Sequence, residues 1–156
     1  MAMTMLVMRH AEKSGDPDDP HLTPAGYQRA RTLTTFIPEK FGIPGFIFAA
    51  SNSPHSSRPY ETIAPLAQAA GVTIDSSYAD QDYGALAQDL RGKVRFRDST
   101  VIVCWHHGNI PNLMYSLRAL DGDYPDPWPR EVFNMILHTT ISAEGAVSVS
   151  PITEPF

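Results

Sequence analysis

Near the start of the chain, Arg9 is followed directly by His10, and late in the chain His106 and His107 stand together before Gly108 and Asn109. Between them, Ser53 to Arg58 forms a polar stretch ending in a second arginine. An arginine presents a planar fork of donors that matches phosphate oxygens, while an imidazole near neutral pH serves as nucleophile, donor or proton carrier. Arginine and histidine gathered at one place therefore suit phosphoryl chemistry. A lone Arg-His dipeptide carries little weight, and an adjacent histidine pair is often a core residue beside an exposed one. What raises all three clusters is their location, since each follows an apolar run that reads as a strand.

The elements that must bring them together follow from periodicity. Thr4 to Met8 and Val101 to Trp105 are short apolar runs predicted as buried strands, each delivering polar residues at its carboxyl end. Phe46 to Ala50 is a third run, and Val72 to Ile74 reads as a short fourth. Thr23-Pro24 has the form of an N-cap with proline at the first helical position, opening a helix over Ala25 to Phe36. Further helices are predicted at Tyr60 to Ala70, Tyr83 to Val94 and Ile110 to Leu120. Val132 to Thr140 and Ala146 to Ser150 read as closing strands around an Ala143-Glu144-Gly145 turn, after a proline-rich loop from Asp121 to Arg130. Strands alternating with helices predict one α/β domain over residues 1–156, a three-layer sandwich with a mostly parallel central sheet and one late antiparallel strand. Ligands of such sheets bind beside the carboxyl ends of the strands.

Composition narrows the partners. The 156 residues carry a formal net charge of −5, so a broad basic surface for nucleic acid or anionic membranes is not expected, and any anion site must be local. Cys104 is the only cysteine, which rules out an internal disulfide and a cysteine-rich metal site. Ile110 stands six positions after it where a cysteine phosphatase needs arginine. The apolar opening from Met1 to Met8 has no basic leader and is interrupted by Arg9 and His10, which predicts a cytoplasmic protein. The oligomeric state is not encoded in any of these features.

Met8-Arg9-His10-Ala11-Glu12-Lys13 resembles the signature that opens the histidine phosphatase superfamily, the phosphoglycerate mutase-like proteins, and Leu22-Thr23-Pro24-Ala25-Gly26 continues that pattern. Ser53 with Arg58-Pro59-Tyr60-Glu61-Thr62 is similar to the family's second segment, and Val101 to His107 with Ile110-Pro111 to its late strand. The resemblance implies that His10 is the phosphorylated nucleophile, that Arg9 and Arg58 bind phosphate, and that a second histidine assists. The spacing Trp-x-His-x-x-Ile-Pro favours His107 for that role and leaves His106 to orient it or line the pocket. Tyr78 to Gly84 resembles the segment carrying the general acid, with Asp80 at the matching position and Asp82 and Glu12 as competitors. His55 and Asn109 fall where substrate contacts are expected. His21 and His138 receive no role.

The chemistry so implied is in-line attack by a neutral His10, whose other ring N–H donates to a backbone carbonyl, with a carboxylic acid of raised pKa protonating the departing oxygen. No metal or other cofactor is expected, because arginine and histidine clamp the charge, so activity should survive chelators. The implied function is a small phosphatase acting on a phosphomonoester or a protein phosphohistidine. A mutase-type phosphotransferase and a non-catalytic phosphoprotein-binding module are the alternatives.

Overall fold

Side-chain alternation along the central strands explains the layers. The computed structural model describes residues 2–156, so Met1 of the opening apolar run lies outside the described residues. In β1 (Met3–Arg9), Met3, Met5 and Val7 face one side, while Leu6 and Met8 face the other. In β4 (Thr100–Trp105), Val101, Val103 and Trp105 share the first side, and Ile102 and Cys104 the second. A strand buried on both faces cannot alternate apolar with polar, which is why both read as continuous apolar runs.

Four α-helices cover these faces. α1 (Pro24–Phe41) and α2 (Arg58–Ala70) pack Leu33, Ile37, Ile63 and Leu66 against the side of Leu6 and Ile102. α3 (Tyr83–Gly92) and α4 (Ile110–Ser116) pack Leu86, Leu90, Leu113 and Met114 against the side of Val7 and Val103. Each such side chain removed from water contributes about 1.5–3 kcal/mol.

The sheet is completed by β2 (Phe46–Ala49), β3 (Ile74–Asp75), β5 (Met135–Ile141) and β6 (Val147–Thr153), in the order β3-β2-β4-β1-β5-β6. β5 runs antiparallel to β1, and β6 antiparallel to β5, so β5 alone opposes the others. The three-layer arrangement with one reversed late strand is as the sequence predicts. After β1 the chain crosses to the face of α1, and after β4 to the face of α4. The carboxyl ends of these two neighbouring strands therefore open a crevice, the place where such sheets hold ligands.

Differences from the predicted elements have local causes. α1 runs past Phe36 to Phe41, with Pro38 inside it, and ends at Gly42, whose φ of 91° a β-carbon disfavours. α4 stops at Ser116 rather than Leu120, because Arg118 takes φ 68° and the Ala119 N–H turns back to the Met114 carbonyl. Short 3₁₀ turns at Asp80–Asp82 and Val94–Phe96 flank α3. Among the described residues no helix is long and apolar enough to cross a membrane.

Candidate functional site

β1 and β4 pair in parallel with Arg9 opposite Trp105, and the His10 N–H donates to the Trp105 carbonyl at 3.1 Å. The next residue of each strand therefore leaves the sheet at the same point. His10 and His106 emerge side by side, their rings edge-on at 5.5 Å. The spacing to Ile110-Pro111 favoured His107, yet the ring packed against His10 is that of His106. His107 lies farther out, less deeply buried, on the same cavity wall.

Only 2% of His10 is exposed, and its Nδ1 lies 2.7 Å from the Ala11 carbonyl. A carbonyl only accepts, so Nδ1 must carry the hydrogen and Nε2 keeps its lone pair. Burial, reinforced by the Arg9, His106 and Arg58 cations or dipoles, lowers the His10 pKa to about 3 against the pull of the Ala11 carbonyl. The ring is neutral at physiological pH. Thr62, buried in α2, fixes the turn that follows: its hydroxyl accepts from the Ala11 N–H at 2.8 Å and donates to the Arg58 carbonyl at 2.7 Å.

The two arginines are also buried. The Arg58 guanidinium donates to the carbonyls of Asp19 and His21 and to the Ser56 hydroxyl, which aims it into the cavity from the start of α2. Arg9 lies behind His10, its Cζ 4.0 Å from the centre of the Phe133 ring and its Nη1 donating to the Arg130 carbonyl at 2.5 Å. Its Nε is a buried donor with no acceptor among the described residues. Burial and the nearby Arg58 charge lower Arg9 to about 10, which leaves it cationic at neutral pH.

Asp80 sits across from His106 at the start of its 3₁₀ turn. One carboxylate oxygen, Oδ2, accepts from the Asn109 amide at 3.0 Å, and its backbone carbonyl accepts from the Trp105 indole at 3.0 Å. The other oxygen, Oδ1, is buried without a donor. Burial lowers the His106 pKa, opposed by the Asp80 charge. The rival acids are occupied elsewhere. Asp82 accepts from the Ala79 N–H at 3.0 Å as the cap of the turn, and Glu12 grips Arg29 through both oxygens. His21 pairs with Glu61 at 2.6 Å, and His138 packs against Phe41, both away from this cavity.

Together His10, Arg58, Asp80, His106, His107 and His55 line an open cavity of about 590 Å³. Arg9 is next to His10 in the chain but off this wall, tied to the Arg130 carbonyl, and Asn109 reaches the cavity through Asp80. Lys13 also lines it, a residue within the opening signature to which sequence reading attached no charge role. Its pKa is lowered by burial and by Arg58, Arg9 and Arg130, and His107 is lowered by burial and by Arg9, Lys13 and Arg130. These mutual depressions mark a local excess of cations in a chain of net charge −5, an arrangement chemically suited to a multiply charged anion. Among the described residues no group of three histidine, cysteine or acidic side chains is placed to hold a metal ion.

No protein-family model and no curated protein sequence matches the chain. Solved structures do. The protein histidine phosphatase SixA, determined with tungstate, superposes with a TM-score of 0.66 at 17% identity, covering 97% of both chains. A mycobacterial glucosyl-3-phosphoglycerate phosphatase gives 0.64 at 13% identity over 99% of each chain. Phosphoglycerate mutase from Plasmodium falciparum gives 0.64 at 14%, covering 96% of this chain and 89% of the other. The chain thus has the histidine phosphatase fold.

Proposed function

We propose that this protein is a metal-independent phosphatase that hydrolyses a phosphomonoester or a protein phosphohistidine through a covalent phosphohistidine on His10. The observation that carries this reading is the His10 ring itself: buried, neutral, locked by the Ala11 carbonyl into the tautomer whose Nε2 is nucleophilic, and open to a cavity rimmed by cations. The phosphatases and the mutase that share the fold agree with it.

In the first step Nε2 attacks phosphorus in line, the bond from phosphorus to the leaving group breaks, and Asp80 delivers a proton to the departing atom. In the second, water attacks phosphorus, the P–N bond breaks, its electron pair returns to Nε2, and the water's proton passes to the Asp80 carboxylate. Arg58 and Arg9 neutralise the equatorial oxygens, with the unpaired Arg9 Nε supplying one of the donors. His106 takes the second-histidine role, supported by its edge contact with His10, and His107 contacts the substrate at the rim. Asp80 is preferred as acid because Asn109 holds one of its oxygens and leaves the other unbonded beside the histidines.

The test is phosphate release from an aryl phosphate and from a phosphohistidine peptide, in chelator, by wild type, His10→Ala and Asp80→Ala. Turnover by wild type, lost with His10→Ala and slowed about 10²–10⁴-fold with Asp80→Ala on the aryl ester, is expected. Phosphate binding without turnover of either substrate points instead to a binding module, and transfer to an added sugar-acid acceptor in preference to water points to a mutase.

A further inference from the structure

Beside the cavity of His10 lies a second hollow of about 460 Å³, between the turn that opens α4 and the proline-rich loop. His107 and Gly108 line both, so the two adjoin. The outer wall carries Pro111, Pro127 and Arg130, with the carboxylates of Asp126 and Glu131 also on its border. This wall is anchored. The Trp128 indole is buried and donates to the Val132 carbonyl at 2.9 Å, and Arg9 holds the Arg130 carbonyl.

The Arg130 side chain contrasts with its fixed backbone. It is exposed, and among the described residues it makes no hydrogen bond and no ion pair, although two carboxylates share its loop. Its charge is felt at Arg9, Lys13 and His107, whereas that of Asp126 is felt at Tyr124. Arg130 thus lines the second hollow within electrostatic reach of the first. A leaving group that extends from the first cavity past His107 enters this second space, whose size suits a small organic group.

We infer that the second hollow receives the leaving group of a small phosphomonoester, and that Arg130 selects leaving groups that bear an anion of their own. This rests on the phosphatase reading above. The hollow offers a proline face for the body of the group and one unpaired guanidinium for its charge, and a charge-assisted hydrogen bond there is enough for about ten-fold discrimination.

The experiment compares kcat/KM for phenyl phosphate, 4-carboxyphenyl phosphate and 1,4-phenylene bisphosphate in wild type, Arg130→Ala, Arg130→Lys and Arg130→Glu. Wild type should prefer the anionic esters about ten-fold, the two anionic arms separating carboxylate from phosphate as the favoured group. Arg130→Ala should bring the ratio towards one, Arg130→Lys should restore part of it, and Arg130→Glu should invert it. Because the ratio is taken within each variant, a general loss of activity does not mimic it, and the backbone carbonyl that Arg9 uses is retained. A wild-type ratio near one, a ratio indifferent to Arg130→Ala, or far faster turnover of a phosphohistidine peptide that is insensitive to Arg130 overturns the inference. If no ester is turned over, the phosphatase reading fails, and calorimetric binding of phenylphosphonate against 4-carboxyphenylphosphonate still reads the same ratio. Equal or absent binding of these two then overturns the subsite as well.

Discussion

Two clusters of charge flank the turn after His10, and they are built on opposite plans. On one side Arg29 is saturated by the chain: Glu12 grips it at 3.0 Å, Glu154 at 2.8 Å, and the Phe156 carbonyl at 2.6 Å. On the other side Arg58 and Lys13 line the cavity, with Arg9 and Arg130 within electrostatic reach of it, and none of the four has an ion pair to an acid among the described residues. Neighbouring residues of one loop serve the two plans, Glu12 inward to Arg29 and Lys13 outward to the cavity. A cation neutralised by its own chain holds the loop in place, and a cation left unneutralised attracts an external anion. The difference separates a structural clasp from a binding site more clearly than burial does, since both contain buried arginine or glutamate.

The largest effect should come from breaking the clasp. Arg29→Met leaves Glu12 and the 2%-exposed Glu154 without their cation, and about 3 kcal/mol of stability should be lost, the low end of the range for buried pairs because Glu12 is partly exposed. Chemical denaturation reads this, and adding Glu154→Gln should return part of it. In the cavity the converse is expected. Arg58→Lys keeps a charge but not the fork, so kcat/KM should fall about 10²–10³-fold with a much smaller change in denaturation midpoint. If Arg58→Lys destabilises as much as Arg29→Met does, the two clusters do not differ as described.

A smaller loss should follow at the point where the helix after the loop touches it. A β-carbon on Gly26 would lie 2.5 Å from the Glu12 carbonyl oxygen, so Gly26→Ala must push the loop away, at a cost of about 1–3 kcal/mol together with reduced kcat. This gives the glycine of the Leu22 to Gly26 pattern a steric reason.

The most gradual effect, spread over several pH units, is in pH dependence. His10, lowered to about 3, stays unprotonated in the fold while the unfolded ring takes up a proton below its ordinary range, so its contribution is intact above pH ~6.5 and declines as pH falls towards 3, by at most about 1.4 kcal/mol per pH unit. Glu154 has the opposite sign. Burial raises it to about 7 against the pull of Arg29, so protonation favours the fold and stability is lost as pH rises from ~4.5 through 7. Stability-versus-pH curves of His10→Gln and Glu154→Gln should therefore depart from wild type in opposite directions below neutrality.

The fold was legible where one face of an element had a single demand. Thr4 to Met8 and Val101 to Trp105 are strands because both their faces are buried, and Thr23 caps α1 by accepting from the Gly26 N–H at 3.1 Å. The end of α4 was not legible, since Leu117 and Leu120 extend the apolar pattern past the point where the backbone turns. Nor was the start of β5, where Val132 continues the apolar pattern although its carbonyl serves the Trp128 indole. In the candidate site, Arg9, His10 and Arg58 stand in polar clusters that the sequence marks at element ends, whereas Asp80 was reachable only through the family resemblance. The choice between His106 and His107 depends on interstrand register, which spacing to the next helix does not encode. Lys13 and Arg130 carry no signal that separates them from ordinary solvated cations, and Thr62 matters only because α2 is brought against the loop of Ala11.

The pairing of β1 with β4 has one more consequence, in time rather than in space. Leu6 lies against Ile102, so the crevice between His10 and His106 cannot form until just over two thirds of the 156 residues have been made and the ends of that long span have met. Closing so distant a contact is slow and costly in entropy, and local helices gain their partners first. The activity proposed for the crevice should be among the last properties to return on refolding, which makes its recovery a clock for the central strands.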